Sequence, residues 1–262
     1  MVYGLLRDLL FALVIFVPLE RLLPRSRDQA VLRRFWRTDL AFAIIGGVLI
    51  LAGTMLVLVA GEALLVPLIS DAAQPAIRSQ PIWLQALEVA VLADIVYYAI
   101  HRLFHEVPFL WRLHKVHHSI EEMDWLAGHR VHPVDQILTR GLSLIVPFAV
   151  GFDVAALAAF SIVSAWHSHL KHSNVDVSFG PLRWLFVSPL YHHWHHANEQ
   201  AAFNRNYAGQ FPILDIVMRT ACLKEPLAPQ SYGIDEPLPF GFVDKIVEPF
   251  RKERSAPESS TV

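Results

Sequence analysis

The sequence predicts an all-α, polytopic membrane protein with about four transmembrane or hairpin elements and a cytosolic helical cap carrying a polyhistidine metal site. Three observations predict it. Of the 262 residues, 54% are hydrophobic and 18% charged, with a mean hydropathy of +0.38, whereas a water-soluble domain carries about 25% charged residues. The apolar residues gather in long runs, which is the signature of the bilayer. All 14 histidines lie between His101 and His196, and such concentration is the usual mark of metal binding.

The elements follow in chain order. Val2 to Leu19 is apolar except for Arg7 and Asp8. No small-residue cleavage site follows it, so it reads as a first span rather than a signal segment. Leu40 to Gly61 carries no charge over 22 residues, and a helix of that length spans about 33 Å, enough to cross a bilayer core. Ile82 to Ile100 is a third apolar segment containing Glu88 and Asp94. Acids inside spans face a protein interior or a polar cavity, and Asp94 lies two turns before His101. Gly141 to Phe152 and Val154 to Trp166 are uncharged runs separated by Asp153; each is short for a span, so the pair predicts a membrane hairpin over about 141–166. The chain divides into N-terminal transmembrane helices (1–93), a di-metal domain (94–222) and a C-terminal tail (223–262) whose last ten residues are expected to be disordered.

Charge sets the orientation. Arg21, Arg25, Arg27, Arg33, Arg34 and Arg37 lie between the first two spans, against Arg78 alone between the next two. The positive-inside rule puts the first loop in the cytoplasm. Everything from His101 onward, apart from the hairpin, then faces the cytoplasm as well. The excess of arginine over lysine fits a bacterial inner membrane. The net charge of −2 argues against a nucleic-acid binder, and Cys222, the sole cysteine, excludes cysteine zinc ribbons and a disulfide framework.

The histidines fall in spaced motifs. His101 and His105 form H-x3-H, and on a helix i and i+4 face the same way. His114, His117 and His118 form H-x2-H-H, and His192, His195 and His196 repeat it, with His193 as an extra. Residues i, i+3 and i+4 of each motif are expected to share a face. These eight exceed what one metal needs and suit two. Neutral imidazole binds iron, zinc, copper or nickel, so spacing alone does not name the metal. His129, His132, His167, His169 and His172 lie between the main motifs, and either ligation or plain hydrogen bonding suits them.

At these residues the sequence resembles the fatty acid hydroxylase superfamily, also called the sterol desaturase family. The carriers are Asp94-x2-Tyr97-Tyr98-x2-His101-Arg102, Trp111 to Ser119 with its H-x2-H-H, Arg130-Val131-His132-Pro133, His172-Ser173-Asn174, Asn206-Tyr207 and Asp215. The resemblance covers nearly half the chain. It implies an oxygenase with two iron ions, zinc being an alternative occupant of the purified protein, that hydroxylates or desaturates a C–H bond of a membrane lipid. Dioxygen is the oxidant, and electrons come from an external donor such as a ferredoxin or cytochrome. The implied ligands and catalytic residues are His101, His105, His114, His117, His118, His192, His195 and His196, joined by His132 and His172 as further metal ligands. Asp94 is expected to orient a ligand from behind. The Phe-Gly-Thr ending common in the family is replaced by Ile216 to Thr220.

Two other classes use the same residues. A di-zinc hydrolase acting on lipids needs a general base, for which Glu106, Glu121, Glu122 and Asp124 are available. A metal transporter or sensor places its ligands near the bilayer midplane; here they flank the spans instead.

Overall fold

The computed structural model describes residues 2–65, 67, 74–224, 227–236 and 238–251. Among them the chain is helical and contains no strand, only isolated bridges at Pro24–Val175 and Ala197–Tyr232. The expected disorder of the last ten residues lies outside the described residues.

Three helices are long and apolar enough to cross a membrane: α1 (Val2–Leu22), α2 (Trp36–Leu65) and α3 (Ile82–Glu106). Each extends the apolar run that announced it. Helix α2 contains a π-helical stretch at Phe42–Gly46. Leu10, Phe11 and Val14 of α1 and Leu56, Val59 and Leu64 of α2 are exposed, as expected of faces that meet lipid.

Proline punctuates the rest. Pro108 starts α4 (Pro108–His118) directly after α3 ends at Glu106. Proline has no N–H to lose in a first turn and cannot continue the preceding helix. Pro133 starts α5 (Pro133–Val150) in the same way, with the ring of His132 accepting from Val134 N at its N-terminus. Helix α5 ends at Gly151, whose φ of +108° is the left-handed cap that favours glycine. Two residues later Asp153 caps α6 (Val154–His172) through Ala155 N. Helices α5 and α6 thus form a hairpin joined by a three-residue turn and extend beyond the uncharged runs at their His-bearing ends; neither is among the three helices long and apolar enough to cross a membrane. Ser188 and Pro189 start α7 (Pro189–His195).

Helix α5 packs closely on α2 because small residues line the seam. A methyl group at Gly61 would fall 2.0 Å from Ile145, and one at Gly53 would fall 2.3 Å from Ile137. Close backbone approach of this kind is how helices pack in lipid, where the hydrophobic effect offers no preference between them.

The arginine-rich first loop packs on the histidine-bearing segments. Asp176 N donates to Leu23 O at 2.8 Å, Arg25 N to Asn174 O at 3.2 Å, and Gln29 Nε2 to Met123 O at 2.8 Å. Arg33, Asp39, Asp124 and Arg130 are all buried and form one ion network: Arg33 pairs with Asp39 and Asp124, and Arg130 with Asp39. Arg33 is therefore part of the interior, a role beyond that of a topology signal. The described part of the tail also closes on this cap: Lys245 Nζ donates to Ser119 Oγ, Lys115 pairs with Glu236, and Phe42 meets Phe242 within the short helix α8 (Phe242–Val247).

Candidate metal centre

Nine histidines converge in two groups. His101, His105, His114, His118 and His195 form one; His117, His172, His192 and His196 form the other. Within each group the candidate ligand nitrogens all lie within 4.8 Å of one another. Helix α3 supplies the H-x3-H pair, α4 its H-x2-H-H, α7 and its C-terminal residue the second H-x2-H-H, and the last turn of α6 supplies His172.

The sorting differs from the expected shared face. In α4 the outer pair His114 and His118 joins the first group while His117 joins the second. In α7 the outer pair His192 and His196 joins the second group while His195 crosses to the first. The cause is helical geometry: neighbours i+3 and i+4 point about 100° apart, so one motif reaches two centres. Each H-x2-H-H therefore ties the two groups together.

The hydrogen bonds on the far side of the rings fix what the near side presents. His101 Nδ1 donates to Tyr207 O at 2.7 Å, His117 Nδ1 to Arg130 O at 3.1 Å, His172 Nδ1 to Ser168 O at 2.7 Å and His195 Nδ1 to Arg205 O at 2.8 Å. His114 Nδ1 donates to Asp135 Oδ2 at 2.7 Å. These oxygens only accept, so each ring carries its proton on Nδ1 and a bare lone pair on Nε2. Yet His101 and His114 bring their Nε2 atoms to 3.1 Å, and His117 and His172 bring theirs to 3.2 Å. Facing lone pairs repel unless a cation lies between them. Buried His105 Nε2, His192 Nδ1 and His196 Nδ1 have no hydrogen-bond partner either. The donor set thus fits two metal ions, one per group.

Electrostatics agree. Burial, then the neighbouring imidazoles, hold His118 and His196 well below the ordinary histidine value, and burial with His114 holds His117 at about 3. Burial likewise lowers His192 and His195. These rings stay neutral and available as ligands. For the metal-free protein the sign follows: the unfolded chain binds protons below about pH 6.5 that the folded chain does not, so stability falls as pH falls through that value. The expected result is a lower melting temperature for chelator-treated protein at about pH 5 than at about pH 7; an unchanged one would contradict the assignment of buried neutral rings.

The remaining expected site residues lie elsewhere. His132 belongs to neither group: its Nδ1 accepts from Val134 N and its Nε2 donates to Ile246 O, so it caps α5 and anchors the tail. His193 packs its ring between Ser173 O and the hydroxyl of Tyr232. His129, His167 and His169 also stand outside both groups. Asp94 touches no histidine. Its carboxylate accepts the N–H groups of Gly209, Gln210 and Phe211, while Asp215 accepts those of Tyr207 and Ala208. Two buried acids so hold a five-residue stretch, and the adjoining carbonyls of Arg205 and Tyr207 orient His195 and His101. Asp94 acts on the centre through that backbone. Among the described residues, the carboxylate in direct contact with a histidine of the groups is Asp135, which sequence reasoning missed; the available signal was an acid in the first turn after His132-Pro133, at the head of a helix.

A cavity of about 450 Å³ opens onto the centre between α1, α2, α3, α5 and α6. Leu5, Leu9, Ile50, Leu51 and Phe160 give it apolar walls, and its inner end touches His101 and His114 of one group and His117 and His172 of the other.

Residues 86–220 match the fatty acid hydroxylase family profile. The ornithine lipid hydroxylase OlsE of Rhizobium tropici is 32% identical over 65% of this chain and 53% of its own length. Alkylglycerol monooxygenase of Danio rerio is 31% identical over 60% of this chain and 33% of its own. Methylsterol monooxygenase 1 of Rattus norvegicus is 27% identical over 52% of this chain and 46% of its own. The chain thus spans about half or less of the length of these curated relatives. No solved structure matches it.

Proposed function

This chain belongs to the fatty acid hydroxylase family, and from that premise we propose that it is a membrane-bound oxygenase that hydroxylates a C–H bond of a lipid. The observation that carries the reading is the pair of histidine groups at the inner end of an apolar cavity between membrane-length helices. The names of the relatives favour hydroxylation over desaturation. Residues 1–93 form the membrane anchor, 94–222 the di-metal unit, and the described tail covers the cap. The arginine-rich loop and the histidine cap share one side, which by the positive-inside rule is the cytoplasmic side of a bacterial inner membrane.

Irons held by the two groups would activate dioxygen with electrons from an external carrier, chemistry that no side chain supplies. The chain does the rest. His101, His105, His114, His118 and His195 hold one ion, and His117, His172, His192 and His196 the other. Backbone carbonyls and Asp135 fix the tautomers of His101, His114, His117, His172 and His195, so their Nε2 lone pairs point inward before a ligand arrives. The cavity, with its apolar walls of Leu5, Leu9, Ile50, Leu51 and Phe160, admits an acyl chain. Two of the four acids that a hydrolase would use are engaged elsewhere: Asp124 by Arg33, and Glu106 by Arg102.

Asp135→Asn tests the orienting contact. Loss of an outer carboxylate partner weakens metal binding by about 10–100-fold, read by competition with a chelator; unaltered affinity would remove Asp135 from the account. The function itself is tested with purified protein, reductant, total bacterial lipid and isotopically labelled dioxygen. A lipid carrying the label is expected. A product that forms equally without oxygen would overturn the proposal in favour of hydrolysis.

A further inference from the structure

Among the described residues, the cavity wall carries a cation, Arg140, that no ion pair engages. Arg140 lies on the face of α5 that lines it, together with Gln136, Ser143 and Leu144. Arg140 is exposed, and it lines the cavity. It has no hydrogen bond or ion pair among the described residues. The acids that line the same space are already engaged: Asp8 by Arg7, Asp94 by three backbone N–H groups, and Asp135 by His114 and Thr139. The other lining cation, Lys171, donates to Gly209 O. Two further polar atoms on this wall are buried and unpartnered, Ser143 Oγ, one turn from Arg140, and His129 Nε2. Arg140 and His129 line the same cavity.

A lone guanidinium among membrane-length helices is costly unless something neutralises it. Three polar groups without a partner on the wall of one cavity suit the polar end of a ligand. We propose that Arg140, with Ser143 and His129, is the anchor for the anionic group, carboxylate or phosphate, of the lipid that enters this cavity. Guanidinium presents paired N–H donors matched to the two oxygens of such a group, Ser143 offers a hydroxyl donor, and Leu5, Leu9, Ile50 and Leu51 take the chain. The anchor sits about 8 Å further along α5 than Asp135, by the rise of five helical residues. The assignment deepens the lipid reading above and rests on it.

Binding tests the anchor without turnover. The ring of Trp166 lies 6.0 Å from that of cavity-lining His169, so brominated lipids that enter the cavity quench its fluorescence. Metal-loaded, detergent-purified protein is titrated with dibromostearate, with dibromo-acyl phosphatidic acid and with uncharged dibromostearyl alcohol. Wild type is expected to bind the anionic probes at least about tenfold more tightly than the alcohol, the scale of a hydrogen bond to a charged group. Arg140→Gln should abolish that preference while leaving alcohol binding unchanged. Arg140→Lys, which keeps the charge and guards against a folding defect, should keep part of it. Equal binding of all probes by wild type, or an unchanged preference in Arg140→Gln protein of normal metal content, would overturn the anchor and leave the lipid reading standing. Failure of every probe to bind would overturn both. Displacement of dibromostearate by millimolar inorganic phosphate, but not by sodium chloride of equal ionic strength, would assign the site to a free anion and overturn the headgroup.

Discussion

His117→Ala and His195→Ala will each abolish lipid oxidation and lower metal content, while the protein still inserts into the membrane. The effect should exceed the about 100-fold loss that removal of an outer partner brings, because each of these rings is a member of a histidine group. The two residues are also the crossing members of their motifs: His117 leaves His114 and His118 to join the second group, and His195 leaves His192 and His196 to join the first. Removing either therefore damages one group and also loosens its tie to the other. His193→Ala is the internal control. Its ring is as buried as its neighbours but bonds to Ser173 O and Tyr232, so metal content should survive. Metal analysis and turnover of the three variants check this; full activity in either His117→Ala or His195→Ala, or a loss in His193→Ala as deep as theirs, would contradict the assignment.

Asp39→Ala is expected to give the largest loss of stability outside the histidines. Asp39 is wholly buried and binds two guanidiniums, those of Arg33 and Arg130. Removing it leaves buried positive charge without its partner, which costs about 3–5 kcal/mol where one member of a buried pair is lost. The damage should spread, because Arg130 also donates to Ser119 O and its own carbonyl accepts from His117. Unfolding of the metal-free variant in denaturant checks it. A change under about 1 kcal/mol would mean that the network behaves like an exposed pair.

Much of the site was legible because helical spacing is a strong constraint. Ligands at i and i+4 cluster on one face, and the pairs His101–His105, His114–His118 and His192–His196 each stay within one group. The spans were legible for the same kind of reason: apolar runs of bilayer length, uncharged from Leu40 to Gly61 and broken by only two charges in each of the other two, have few soluble alternatives. What spacing could not reach was the partition between groups, since one motif's arc of about 100° meets two centres only once other helices are in place. Distance along the chain hid the rest. Asp135 meets His114 across 21 residues, and Asp94 meets the backbone of Gly209 across 115. His132 was misleading because a histidine just before Pro133 serves as well for capping α5 as for holding metal.

The central claim is that the two histidine groups hold two irons that oxidise lipid. The most direct test is metal analysis of detergent-purified protein never exposed to chelator, combined with lipid turnover under air and under nitrogen. The account predicts two irons per chain, one for each group, and oxidised lipid only under air. Folded protein without bound metal, or two zincs with product formed equally under nitrogen, would contradict it.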